Sequence, residues 1–295
     1  MHNNNMKEIL LLTILCMFGL QAYSQNLSDI LDNATPKTEN YTTSTFKGTR
    51  ILNGHSIENR KKGVLEFIIA HRFGRVNTGL DELYGLDDTS IRFAFEYAPI
   101  DDATIGLGRS SAGKIYDAFF KYKILKQKDG NNSRPFTASV FGSVAYETQD
   151  RGLDLTFSQE LTYVTQLLIA RKFSPGFSLQ LMPGYTYRNS VPTNDDPHGI
   201  LSIGIGGRAK LTKRLAINAE YHYVPDPLES LDTTNSLALG LEIETGGHVF
   251  QIILSNSESL IESQFITRSV DDFFEGDIHL GFNITRAFET RKRKR

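Results

Sequence analysis

The chain has 295 residues, 40% of them apolar, with a formal net charge of -2. That length suits one large domain or two small ones, and the near-neutral charge gives no basis for a nucleic-acid partner. The apolar fraction is low for a helical membrane protein but ordinary for a β-barrel, whose interior face is polar.

At the N-terminus, Lys7 precedes an apolar run over residues 9–20, and Ala22-Tyr23-Ser24 supplies a small-x-small cleavage signal. Residues 1–24 are therefore expected to be a secretory signal peptide, cut before Gln25. The run is too short for a membrane helix. Processing as a lipoprotein at Cys16 would shorten the apolar region and discard the downstream cleavage site. Cys16 is the only cysteine, so the mature chain is expected to carry no disulfide or thiol chemistry. Beyond residue 24 no apolar run approaches the ~18 residues that a membrane helix needs, which leaves a barrel as the way to cross a membrane.

Residues 25–63 are rich in Asn, Thr, Lys and Ser, with little periodicity. They read as an arm on the periplasmic side, with two roles open: a partial plug turned back into the barrel mouth, or a linker ordered on contact. Strands with period-2 alternation follow. Residues 64–73 put Leu65, Phe67, Ile69, His71 and Phe73 on one face, and residues 90–98 oppose Phe93, Phe95 and Tyr97 to Arg92 and Glu96. Next come 103–109, then 118–125 with Lys121 and Lys123 opposite Phe120 and Tyr122, and then 136–146 and 158–173. Residues 177–187, a Gly-rich 199–209, 215–223, 235–244, 248–255 and 277–288 complete twelve. The last is among the clearest, with Ile278, Leu280, Phe282 and Ile284 on one side. A tilted strand of about 9–11 residues spans a bilayer, and outer-membrane barrels have even strand numbers.

The connections alternate. After even strands they are tight, except 126–134; after odd strands they are longer, at 74–89, 110–117, 147–157, 188–198, 224–234 and 256–276. That is the pattern of short periplasmic turns and longer extracellular loops in an all-β transmembrane antiparallel barrel with both ends in the periplasm. The inward faces are expected to line the lumen with Arg92, Glu96, Lys121, Lys123, Glu160, Gln166, Arg208, Glu220, His222, Glu242 and Glu244. Charges of both signs pair across a lumen and are costly on a lipid face. Gly204, Gly206 and Gly240 would leave room for long side chains opposite. Tyr97, Tyr146, Tyr187 and Tyr223 near strand ends fit interfacial belts, although β-propensity alone also favours them.

Several stretches resemble a family of uncharacterised outer-membrane β-barrel proteins found in Bacteroidota. They are Phe46-Lys-Gly-Thr-Arg-Ile51, His71-Arg-Phe-Gly74, Gly106-Leu-Gly-Arg-Ser-Ser111, Leu168-Ile-Ala-Arg-Lys-Phe173, Gly206-Gly-Arg-Ala-Lys-Leu211, Ala219-Glu-Tyr221, Glu242-Ile-Glu-Thr-Gly-Gly-His-Val-Phe-Gln251 and Gly276-Asp-Ile-His-Leu-Gly-Phe-Asn-Ile-Thr-Arg286. The resemblance runs from about residue 40 to 288 and implies a barrel in the outer membrane, with no catalytic residue to carry over. The tail Arg291-Lys-Arg-Lys-Arg295 lies past the terminal aromatic strand on which many barrels end. It reads either as a contact to anionic headgroups or peptidoglycan, or as a solvated end.

No site for a metal or cofactor stands out. His71, His222, His248 and His279 are scattered, and the Asp pairs at 87–88, 101–102, 195–196 and 271–272 fall in loops or turns. Gly106-Leu-Gly108 lacks the spacing and Lys of a phosphate loop. His222 beside Asn218 and Glu220, or His279 with Asn283, could suggest a hydrolase, but both histidines face the lumen and no nucleophile elbow is present. The partners expected are outer-membrane lipid, a small solute, or another periplasmic or outer-membrane protein. The function expected is a narrow channel with a charged lumen; the alternatives are a structural or partner-binding barrel and, behind both, a membrane hydrolase or acyltransferase.

Overall fold

The computed structural model describes residues 40–290 apart from 131, 151, 153, 246 and 247. The expected signal peptide with Cys16, residues 25–39 of the arm and the basic tail lie outside the described residues. Twelve antiparallel strands form a closed barrel: β1 (Val64–Arg75), β2 (Thr89–Ile100), β3 (Ala103–Ser110), β4 (Ile115–Leu125), β5 (Thr137–Glu147), β6 (Leu161–Ser174), β7 (Phe177–Arg188), β8 (Gly199–Lys210), β9 (Leu215–Tyr223), β10 (Ser236–Thr245), β11 (His248–Ser255) and β12 (His279–Glu289). Each pairs with the next, and β12 closes on β1 with Phe282 opposite His71 and Glu289 opposite Val64. Closure removes the free edges that would otherwise leave backbone groups unpaired in lipid.

Alternation sets the two faces. Phe93, Phe95, Leu107, Phe120, Ile124, Leu201, Ile203, Ile205, Leu241, Ile252 and Leu254 all stand exposed on the outside. So continuous a ring of exposed apolar side chains is untenable in water and natural in a bilayer. Tyr97, Tyr187 and Tyr223 are exposed near strand ends, while Tyr146 is half-buried.

Three strand starts differ by two or more residues from the sequence reading, each for a local reason. β4 begins at Ile115 because Ile115 and Asp117 continue the inward face, and Asp117 is tolerated there by an ion pair to Arg92. β6 begins at Leu161 because residues before it form turns, with Gln159 N donating to Thr156 O at 2.9 Å. Glu160 therefore lies ahead of β6 and not on the lumen wall. β12 begins at His279 because the Asp277 carboxylate is engaged by Asn77 Nδ2 at 2.6 Å.

The connections at one end are tight, as between Ile100 and Ala103 or Ser174 and Phe177. The exception, between β4 and β5, has a structural cause. Lys128–Asp129 forms a two-residue strand that pairs with Asn40–Tyr41 of the arm. Residues 61–63 reach the same end, where Lys62 N donates to Asp101 Oδ1 at 2.7 Å. The arm thus enters and leaves the barrel at its short-turn end.

Candidate functional site in the barrel lumen

Between those two anchor points the arm folds into the lumen as a tight hairpin. Ser56 N donates to Thr49 O and Ile51 N to Gly54 O, both at 2.9 Å, and the backbones of Arg50 and His55 stand opposite each other as an isolated antiparallel pair. Every residue from Thr49 to Ile57 is buried. Two hydrogen bonds do not satisfy a buried backbone, so the wall must supply the remaining partners.

It does so at the tip. The Glu220 carboxylate accepts from Gly54 N at 2.9 Å and Leu52 N at 3.2 Å. Ile51 O accepts from Gln251 Nε2 at 2.8 Å and Asn218 Nδ2 at 3.0 Å, and Leu52 O from Asn283 Nδ2 at 2.7 Å. Arg72 Nη2 reaches Asn53 Oδ1 at 2.6 Å. On the opposite wall Gln180 mimics a strand, accepting from Ile57 N and donating to His55 O, both at 2.7 Å. Lys121 Nζ donates to Ser56 O at 2.9 Å and Glu58 O at 2.6 Å.

Apolar contacts complete the fit. Phe46, Ile51 and Ile57 pack with inward Phe119, Phe141, Val164, Leu168 and Met182, and Leu52 with Ala238 and Ile253. The wall glycines receive the hairpin itself: a Cβ on Gly206 would stand 2.5 Å from Ile51 Cδ1, and one on Gly240 2.5 Å from Leu52 Cδ2. The room that sequence reasoning assigned to opposing wall side chains is, at these two positions, filled by the arm. His55 lies against Phe119 and Phe141, with ring centroids 4.3 and 4.5 Å away. Burial first, then Arg50 and Lys121, push its pKa well below the ordinary histidine range.

From the long-loop end a second segment turns inward. The connection between β11 and β12 carries a short helix, α1 (Glu262–Phe265), all of it buried. Phe265 and Ile266 pack against Ile200, Val224 and Leu228, and Ile261 against Ile115 and Ala145. Arg188 Nη2 donates to Ser263 O at 2.7 Å. The two inserted segments meet where Arg50 Nη1 lies 2.8 Å from Glu262 Oε1.

The expected lumen residues fall as follows. Arg92, Glu96, Lys121, Arg208, Glu220, His222 and Glu242 are buried on the inside; Lys123 and Glu244 are half-buried towards the short-turn end. Arg92 Nε donates to Asp117 at 2.9 Å. Arg208 bridges Glu242 at 2.8 Å and Glu244 at 3.0 Å, and Glu244 also holds Lys47 of the arm at 3.0 Å. His222 Nε2 lies 2.9 Å from Glu220 Oε1, and the other face of the cluster is the Phe265 ring. His279 Nε2 instead contacts Asp271 at 2.7 Å, not Asn283. Among the described residues no group of three or more His, Cys, Asp or Glu is placed to hold a metal ion.

Sequence reasoning missed Glu66, Arg72 and Gln251, all buried inside, and paired Asn283 with His279 rather than with the arm. Their signal was present: each is the polar member of an alternating strand. It set Phe119 inward beside Lys121 but missed the inward Phe141, Val164, Leu168 and Met182, whose apolar character on a lumen face marks a wall that something other than water covers.

A closed twelve-stranded barrel with a lipid-facing apolar belt and a charged interior defines the class: an outer-membrane β-barrel. The family model described as "Membrane bound beta barrel domain (DUF5777)" matches residues 46–288, so the chain belongs to that family. No curated protein matches the chain. Among solved structures, the KdgM porin covers 75% of this chain and 99% of its own at 9% identity, with a TM-score of 0.45. The NanC porin covers 76% and 98% at 10% identity, with a TM-score of 0.47. An outer-membrane channel from Pseudomonas putida F1 covers 79% and 98% at 12% identity, with a TM-score of 0.46. At such scores these likenesses carry no argument about what this lumen passes.

Proposed function

We propose that this protein is a narrow, non-enzymatic channel for small solutes in the outer membrane of a Bacteroidota bacterium, exported by a signal in residues 1–24. The hairpin at Thr49–Ser56 closes its pathway from the periplasmic side, and α1 narrows it from outside. The observation that carries this reading is how the hairpin is held. Its tip is bound by wall side chains acting on backbone groups, and water can replace each of those bonds when the hairpin withdraws. The wall left behind carries Arg92, Glu96, Lys121, Arg208, Glu220 and Glu242 beside an apolar patch around Phe119, Phe141 and Met182, and its charged part is what a water-filled pore requires. The family match begins at Phe46, eighteen residues before β1, so the hairpin belongs to the matched domain and is no appendage to it.

A second reading, a structural or partner-binding barrel, is favoured by the apolar seating of α1, which packs Phe265 and Ile266 against Ile200, Val224 and Leu228 at the outer mouth. Single-channel conductance in a planar bilayer separates the two. The intact protein is compared with one whose residues 45–58 are replaced by a Gly/Ser run of equal length. Conductance that is absent or brief in the first and steady in the second supports the channel. Silence in both, with insertion verified, leaves the accessory barrel.

A further inference from the structure

We propose that the lumen contains a guanidinium-binding site, formed by Glu96, Glu262 and the ring of Phe119, which the chain's own Arg50 occupies and which a guanidinium-bearing solute takes when the hairpin withdraws. The inference rests on reading the hairpin as a removable occupant.

Arg50 belongs to the arm, and what surrounds its head group belongs to the barrel and its loop. Nη1 lies 2.8 Å from Glu262 Oε1, Nη2 3.6 Å from Glu96 Oε1, and the guanidinium carbon 5.8 Å from the Phe119 ring centroid. A carboxylate on either side and an aromatic ring alongside match a planar, weakly hydrated cation better than a compact ammonium. The one remaining contact, from Nη1 to Asn53 O at 3.3 Å, lies within the hairpin and leaves with it.

Glu96 makes the site more than a cluster of acids. It is 1% exposed, and neither of its carboxylate oxygens has a hydrogen-bond partner. Its ion-pair contact among the described residues is Arg50 alone. Directly across the β1–β2 ladder from Glu96 stands Glu66, a second buried carboxylate. Like charges in register on adjacent strands repel, so the pair needs cations. The arm supplies them, Arg50 to Glu96 and Arg60 to Glu66. The wall's nearby Arg92 is already held by Asp117, and Lys121 is bonded to carbonyls of the arm. Withdrawal of the hairpin takes Arg50 away and frees Lys121 to serve Glu96, but Glu96 and Glu262 together then lack the cation that spans them, a place that another guanidinium can take.

The test uses full-length protein folded in detergent, with methylguanidinium as the probe and calorimetry as the readout. Arg50→Ala is expected to open the site and bind one probe molecule, whereas wild type, with Arg50 in place, binds none. Adding Glu96→Gln to Arg50→Ala is expected to weaken binding about tenfold or more, since the ion pair to a buried carboxylate is lost. Methylammonium should bind the Arg50→Ala variant more weakly than methylguanidinium does. Equal binding with and without Glu96→Gln, or none to Arg50→Ala, overturns the site. Arg50→Gln, which keeps more of the side chain, carries the same comparison if the alanine variant does not fold. Binding without conductance in the channel experiment would keep the site and remove the channel; conductance without binding would do the reverse.

Discussion

The two segments that fill this lumen are held by different physics. The hairpin offers its backbone to Glu220, Gln251, Asn218, Asn283, Gln180 and Lys121, and its ionic contacts reach Glu96, Glu244 and Glu262. Both also bury apolar side chains, Ile51, Leu52 and Ile57 in the hairpin and Phe265 and Ile266 at α1, so the contrast lies in the polar frame around the hairpin's tip. Hydrogen bonds exchange with water at a net cost of about 0.5–1.5 kcal/mol each, whereas a buried aromatic has no aqueous substitute. That polar frame is why the hairpin is the element we propose to move and α1 the one we propose to stay.

The largest expected effect breaks the fixed element. Phe265→Ala should destabilise the barrel by roughly 3–5 kcal/mol, because the side chain is fully enclosed and its removal leaves a cavity. Thermal unfolding in detergent would show this as a lowered Tm, with little change in how the hairpin is held. Glu220→Ala strikes the other side of the comparison. It leaves the N–H groups of Leu52 and Gly54 and the His222 ring without their acceptor, a loss of about 1–3 kcal/mol in hairpin docking. Protease cleavage within residues 45–58 should become faster while Tm moves less than in Phe265→Ala.

A smaller effect follows from His55, which faces Arg50, Lys121 and Arg92, with Glu262 Oε1 3.9 Å from Nε2. Burial holds its pKa below the free value of 6.5, so the released hairpin takes up a proton that the docked one refuses. Docking is therefore at full strength above that pH and weakens as pH falls through the window beneath it. Protease susceptibility of the arm should rise on going from neutral to mildly acid pH, and His55→Asn should flatten that rise.

How much of this was legible in the sequence depended on range. The twelve strands were, because alternation is local: Phe93, Phe95 and Tyr97 against Arg92, Ala94 and Glu96 say which face is which without reference to anything distant. Most charged lumen positions followed from the same alternation. Asp117 was misread as loop because a carboxylate looks out of place at a strand start until Arg92, from a strand not adjacent to it, is seen to pair with it. The hairpin's seat was not legible. Gly54 and Glu220, or Leu52 and Asn283, stand 166 and 231 residues apart, and no periodicity connects them. The available hints were inward Phe119, Phe141 and Met182, together with Gly206 and Gly240, which record the shape of an occupant without naming it.

The most direct test of the account locks the mobile element in place. Asn53 Nδ2 lies 3.2 Å from Ser255 Oγ, joining the hairpin tip to β11. Cysteines at both positions, in a chain whose only other cysteine is Cys16, would allow a reversible cross-link. Single-channel recording of this variant should show a silent barrel when oxidised and openings once reductant is added. Equal conductance in the two states would contradict the claim that the hairpin closes the pore.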